Sequence, residues 1–232
     1  MRLGLAFSGG KDSWACLWLS RERLHEITVF WVDTGKNYPE LLASIEAAKS
    51  MCPNFVTVRV DRDAQNLEHG IPADVVPVQW TKTGQRFSGL KPVTIQPYLT
   101  CCFENIAAPL HRAALEHGIT HMIRGQRDDE GHKSPSRNGA KVDGGITYIH
   151  PIEGWTGAEV LAYLGKHMPL PDHFALRHSS MDCYDCTAYR ADSTDRIAFM
   201  RERHPDLYAA YRARDTQLNA ALREALNLDE VM

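Results

Sequence analysis

Six consecutive residues near the start of the chain, Ser8-Gly9-Gly10-Lys11-Asp12-Ser13, bring together the groups that hold a phosphate. Two adjacent glycines let backbone amides approach an anion closely, because no Cβ stands in the way. Ser8 and Ser13 offer hydroxyl donors, and Lys11 offers a cation. A helix opening near Asp12 adds unpaired N–H groups and the positive end of its dipole. The spacing is not that of the Walker loop, which separates its first glycine further from its Gly-Lys pair. The bland alternative is a Gly-Gly turn capped by Asp12, with no ligand.

Thiols are the second chemical resource. Four of the six cysteines occur as pairs, Cys101-Cys102 and Cys183-Tyr184-Asp185-Cys186. Both pairs are expected in loops near element boundaries. The two-residue spacing of Cys183 and Cys186 lets both sulfurs face one metal. Adjacent cysteines can share a centre only where the chain turns, since neighbouring side chains of extended backbone point apart. An iron–sulfur cubane tolerates adjacent ligands better than one tetrahedral zinc does. Spacing alone leaves iron–sulfur, zinc and a buried metal-free thiol group all open. Cys16 and Cys52, on helices among apolar neighbours, read as core residues.

The net charge of −3 gives no overall field toward nucleic acid, although a local basic face is left open. Arg190, Arg196, Arg201, Arg203, Arg212 and Arg214 fall in one late segment with acids interleaved, the pattern of a solvated helix surface. No apolar run approaches a membrane span. The apolar stretch at the N-terminus is short and runs into the glycine loop, so no signal peptide is expected. The expected compartment is the cytoplasm, where thiols stay reduced and six cysteines call for chemistry rather than disulfides.

Positioning these groups is the task of alternating elements. Strands are predicted over 3–7, 27–32 and 55–60, with helices over 12–24 and 39–51 between them. That alternation predicts an α/β fold: a mostly parallel, doubly wound, Rossmann-like sheet. Residues 62–100, broken by Pro72, Pro77, Pro92 and Pro97, read as an irregular substrate-facing excursion carrying Lys82, Arg86 and Lys91. A helix follows over 106–117, in which Pro109 is out of place. A strand over 119–124 leads into Gly125-Gln126-Arg127, on the sheet edge where ligands of open α/β folds bind. After a polar loop at 128–145 come a strand over 146–149 and a helix to about residue 167, opened by a Thr156/Glu159 capping box. A cysteine-bearing loop and two helices, near 193–203 and 206–227, complete the chain. The expected division is an α/β domain at 1–190 and a helical extension at 191–232.

The loop resembles the signature of the ATP pyrophosphatases, the adenine nucleotide α-hydrolase-like enzymes. Val32-Asp33-Thr34-Gly35 is similar to the second nucleotide motif of the phosphoadenosine phosphosulfate (PAPS) reductase family. The match continues through Cys101-Cys102 with Pro109-Leu110, Gly125-Gln126-Arg127, His150-Pro151-Ile152-Glu153-Gly154-Trp155 and Cys183-Tyr184-Asp185-Cys186-Thr187. The resemblance implies a [4Fe–4S] cluster on Cys101, Cys102, Cys183 and Cys186, as in the adenylyl-sulfate reductase branch. It also implies an adenine nucleotide, ATP or adenylyl sulfate, on Ser8, Gly9, Gly10, Lys11, Asp12, Ser13, Asp33, Thr34, Gly35 and Gly125.

Three departures stand out. Those reductases carry a nucleophilic cysteine near the C-terminus, and no cysteine follows Cys186 here. Their loop is usually altered, whereas this one is intact. The Arg-Lys pair that commonly follows their double cysteine is replaced by Phe103 and Glu104. The resemblance therefore implies, first, an enzyme that adenylates an acceptor with ATP, releases pyrophosphate and couples this to sulfur transfer. Lys11, Asp12 and Arg127 are its candidate catalytic residues, with Mg²⁺ on Asp12 or Asp33. The alternative is an adenylyl-sulfate or PAPS reductase releasing sulfite with a thiol from a partner. A non-catalytic nucleotide or cluster sensor is the third. An electron or sulfur donor protein is the expected partner, no membrane is involved, and the oligomeric state is left open.

Overall fold

The computed structural model describes residues 1–89, 91–131, 137–140, 145–176 and 181–227. The chain runs β1 (Leu3–Ala6), α1 (Lys11–Leu19), β2 (Ile27–Asp33), α2 (Pro39–Met51), β3 (Phe55–Arg59), α3 (Arg62–His69), β4 (Ile71–Ala73), α4 (Lys82–Ser88), β5 (Ile95–Pro97), α5 (Tyr98–Cys102), α6 (Ala108–Glu116), β6 (His121–Ile123), β7 (Thr147–Ile149), α7 (Gly157–Leu164), α8 (Thr194–Arg203) and α9 (Pro205–Ala225). The main sheet has the order β3-β2-β1-β6-β7, and every pairing in it is parallel. Chain order reverses between β1 and β6, so the crevice beyond their carboxyl ends is the switch point where open sheets bind ligands.

The doubly wound expectation holds. On one face Leu3, Leu5 and Phe7 pack with Trp14 and Leu17 of α1, Leu41 and Ile45 of α2, and Val160 and Leu164 of α7. On the other, Phe30 and Met122 meet Ala113 and Ala114 of α6. Strand β2 is buried on both sides, which is why it reads Ile-Thr-Val-Phe-Trp-Val without polar alternation. Met200 of α8 and Tyr211 of α9 enter the larger core. Among the described residues no helix is long and apolar enough to cross a membrane.

Several expectations need correction. The segment 62–100 is not irregular: it holds α3, α4 and a parallel two-stranded ribbon of β4 and β5, packed on Leu218 of α9. Its elements are too short for periodicity to reveal, and α3 is almost wholly polar. Cys101 and Cys102 lie on helix α5 rather than in a loop. Helical backbone runs from Tyr98 to Glu116, interrupted by a π-turn over Phe103–Ala107. That widened turn ends two residues before Pro109 and places it in the first turn of α6, where a missing N–H is tolerated. Helix α1 stops at Leu19, and a 3₁₀ segment, Arg21–Glu26, takes over up to β2. Helix α7 ends at Leu164, short of residue 167. Part of the 128–145 loop lies outside the described residues.

Candidate active site

Strand β1 delivers the chain into the glycine loop at the switch point. Gly9 has a φ of +75°, a region L side chains rarely adopt. Its carbonyl accepts from Ser44 Oγ at 2.9 Å, and that oxygen accepts from Trp14 Nε1 at 2.6 Å. A buried relay thus fixes the turn from beneath. Gly10 is the N-cap of α1, and no side chain caps the helix there, which leaves its first-turn amides available to an anion. Asp12 does not cap the turn. Its carboxylate accepts from Arg127 Nε at 2.7 Å and from Lys11 Nζ at 3.2 Å. Ser13 Oγ donates to the Gly10 carbonyl at 2.9 Å, with Ser8 Oγ 3.4 Å away.

Gly125 closes the other wall. A Cβ on it would stand 2.7 Å from the backbone carbon and oxygen of Asp12, so only glycine lets β6 approach the start of α1. Arg127, two residues on, is buried and fully engaged with acids. Besides Asp12 it pairs with Asp129, while its backbone N–H donates to Glu130 at 3.3 Å. Asp129 also accepts from Gly157 N at 3.1 Å, which ties the start of α7 to this group. Burial, with the Asp12 charge adding to it, pushes the Glu130 carboxyl above its ordinary range. A cleft of about 270 Å³ lies here, lined by Ser8, Asp12, Ser13, Trp31, Gly125 and Glu130 among others.

Of the Val32-Asp33-Thr34-Gly35 motif, Val32 lines this cleft and the rest turns away from it. Asp33 Oδ1 is spent on its own turn, accepting from Gly35 N at 2.9 Å and Asn37 Nδ2 at 2.7 Å. Thr34 and Gly35 line a neighbouring cleft of about 440 Å³ with Lys36, Arg59, Arg62 and Asp63.

Thr34 reaches the thiols: Cys183 Sγ donates to Thr34 Oγ1 at 3.5 Å. Cys183 has a φ of +52°, and Cys186 N donates to its carbonyl at 2.8 Å, which closes a tight turn. Arg196 of α8 sits under that turn and donates to the carbonyls of Cys183, Tyr184 and Cys186 at 3.4, 3.2 and 3.0 Å. On α5, Cys101 Sγ lies 3.9 Å from Asn66 Oδ1, and Cys102 Sγ lies 3.7 Å from Tyr189 Oη. Asn105 Nδ2 donates to the Cys101 carbonyl at 2.9 Å. Cys186 is within electrostatic reach of Cys101, Cys102 and Cys183, so the fold gathers both thiol pairs in one region. Burial pushes Cys183 up to about 12 and Cys102 up to about 11. Among the described residues no three His, Cys, Asp or Glu side chains converge closely enough to hold a single metal ion.

Sequence reasoning missed the charges around this centre. Arg62 of α3 and Arg214 of α9 both reach Asp185, the residue between Cys183 and Cys186. Arg196, expected on a solvated face, lies inside, and Arg214, expected there too, is half-buried. An acid inside a Cys-x-x-Cys spacing was the one legible signal.

A family profile described as the phosphoadenosine phosphosulfate reductase domain matches residues 2–189. The phosphoadenosine 5'-phosphosulfate reductase of Alkalilimnicola ehrlichii is 27% identical over 173 residues, covering 74% of this chain and 64% of that protein. The adenosine 5'-phosphosulfate reductase of Deinococcus radiodurans is 22% identical over 160 residues, covering 68% of this chain and 56% of that protein. The chain thus spans less than two thirds of the length of either relative. The solved PAPS reductase of Candida auris, a phosphate complex, aligns with a TM-score of 0.49 at 16% identity over 75% of this chain and 76% of that one.

Proposed function

Since the chain belongs to the phosphoadenosine phosphosulfate reductase domain family, we propose that it is an enzyme of sulfur metabolism that uses ATP to adenylate an acceptor. The open start of α1 behind an intact Ser-Gly-Gly-Lys-Asp-Ser loop carries the reading. The β- and γ-phosphates would lie on the amides of Gly10 to Ser13, and the nucleoside in the cleft lined by Trp31 and Gly125. An acceptor oxygen attacks the α-phosphorus, the bond to the β-phosphate oxygen breaks, and pyrophosphate leaves. Lys11 and the loop amides stabilise the charge that develops on the leaving group. Asp12 is held by Arg127 and Lys11 in the free protein. Mg²⁺ would compete for that carboxylate and free the Arg127 Nε for a phosphate, while Asp129 keeps its hold on the same guanidinium.

Cys101, Cys102, Cys183 and Cys186 would hold a [4Fe–4S] cluster. Four sulfurs gathered without a tight trio suit a cubane, whose thiolates bind separate irons, better than one zinc ion. The protonated thiols must release their protons on binding. The cluster would supply sulfur delivery or an electrostatic anchor for the acceptor.

The names of the relatives favour a second reading, an adenylyl-sulfate or PAPS reductase. A thiolate of a donor protein would attack the sulfate sulfur, the nucleotide phosphate would leave, and a second donor thiol would release sulfite. One anaerobic assay separates the two. The expected result is Mg²⁺-dependent pyrophosphate release from ATP that Lys11→Ala abolishes. Sulfite release from adenylyl sulfate with thioredoxin, without ATP turnover, would overturn the first reading in favour of the second.

A further inference from the structure

Three buried guanidinium nitrogens near the four thiols make no close hydrogen bond. The Arg62 side chain is 1% exposed. Its Nη1 donates to Asp185, its Nη2 makes no close hydrogen bond, and the guanidinium also interacts with the Cys101 thiol. Arg214 Nη1 reaches the other Asp185 oxygen at 3.4 Å, while its Nε and Nη2 are buried and unpartnered. Arg62 lies within electrostatic reach of Cys101 and Cys183, and Arg214 within reach of Cys101 and Cys186.

The local charge does not close. Arg62 and Arg214 share the Asp185 carboxylate, and Asp63, which lies within electrostatic reach of both, is already paired with Lys36. An uncompensated buried charge is strongly destabilising, and buried N–H donors are seldom left unpaired. A folded chain keeps such a surplus where something negative is to be received. Four thiolates sharing an iron–sulfur core carry net negative charge and present sulfur acceptors, which answers both deficits.

We infer that Arg62 and Arg214, clamped by Asp185, are the counter-charges and N–H donors of a four-thiolate centre at Cys101, Cys102, Cys183 and Cys186. They are positioning residues, which set how firmly the centre is held and how readily it accepts an electron. The inference rests on the cluster part of the proposed function.

The test compares the wild type with Arg62→Gln, Arg214→Gln, Arg62→Lys and Asp185→Asn, each reconstituted anaerobically with iron and sulfide. Loss of iron to a chelator and the midpoint potential of dithionite reduction are measured on each. The two glutamine variants should lose iron about tenfold faster or more. Their potential should move to more negative values, because the added electron has lost a nearby cation. Arg62→Lys should restore most of the potential but not the retention. Asp185→Asn should shift the potential the opposite way, a sign reversal that general loosening of the fold would not produce.

The metal-free proteins supply a second readout. Without the centre, Arg62→Gln should melt no lower than the wild type, because it relieves crowding between two cations. Should Arg62→Gln fail to fold, Arg214→Gln on α9 carries the same comparison. Wild type that binds iron, with variants matching it in retention and potential, would overturn the inference and leave the cluster reading standing. Wild type that takes up no iron would overturn both.

Discussion

A methyl group at position 9 would stand 2.2 Å from Leu41 Cδ1, on backbone with a φ of +75°. Gly9→Ala should therefore cost about 1–3 kcal/mol of stability, read as a lowered urea midpoint, since Leu41 must move within a filled core. Gly125→Ala should be more harmful to binding than to folding. Its Cβ meets Asp12 backbone, which cannot rotate aside as a leucine can, so the start of α1 must shift. Calorimetry should show nucleotide affinity falling at least about tenfold, on the scale of displaced catalytic groups; unchanged affinity would contradict this picture of the site. Cys16, at 0% exposure and pushed up to about 12 by burial, should stay unmodified when the native protein is treated with iodoacetamide and mapped by mass spectrometry. The loop and the four thiols could be read from sequence because their signals are local: glycines, a lysine, a two-residue spacing. Arg62 and Asp185 could not, since 123 positions separate them and only the fold brings them together.

Elements were legible where they were long or punctuated. Helix α2 begins at Pro39 and ends at Met51, as its periodicity indicates. Thr156 Oγ accepts from Glu159 N at 3.3 Å, and the Glu159 carboxylate accepts from Thr156 N at 2.7 Å, the reciprocal cap that the pair of residue types announces. Thr156→Ala should lower stability by about 1 kcal/mol, measurable by chemical denaturation. The same logic failed over 62–100. Prolines there read as breakers, yet Pro72 and Pro97 sit in the parallel ribbon of β4 and β5. Strands of three residues hold no period to detect, and their pairing is a tertiary fact. The π-turn likewise has no signature of its own. Only the clash between a helical pattern and Pro109 hinted that the backbone had to widen.

At the scale of the molecule, acid should weaken the fold before its carboxylates are titrated. Burial holds His150 and His173 below their ordinary value of 6.5. The unfolded chain then binds more protons than the folded one once the pH drops below about 6.5, so stability declines from there toward the depressed folded values. The urea midpoint should be lower at pH 5.5 than at pH 7.5, and His173→Gln should shrink the difference. A midpoint that rises on acidification would refute this. The late helices have a part in the same economy of structure. Arg196 grips three carbonyls of the cysteine turn from a position beyond the region that matches the family, residues 2–189. Homology and autonomy therefore part company here. A recombinant fragment halted at residue 190 would keep every motif shared with its kin and lack the brace beneath its cysteine turn, and trypsin should digest it under conditions that the full-length chain survives.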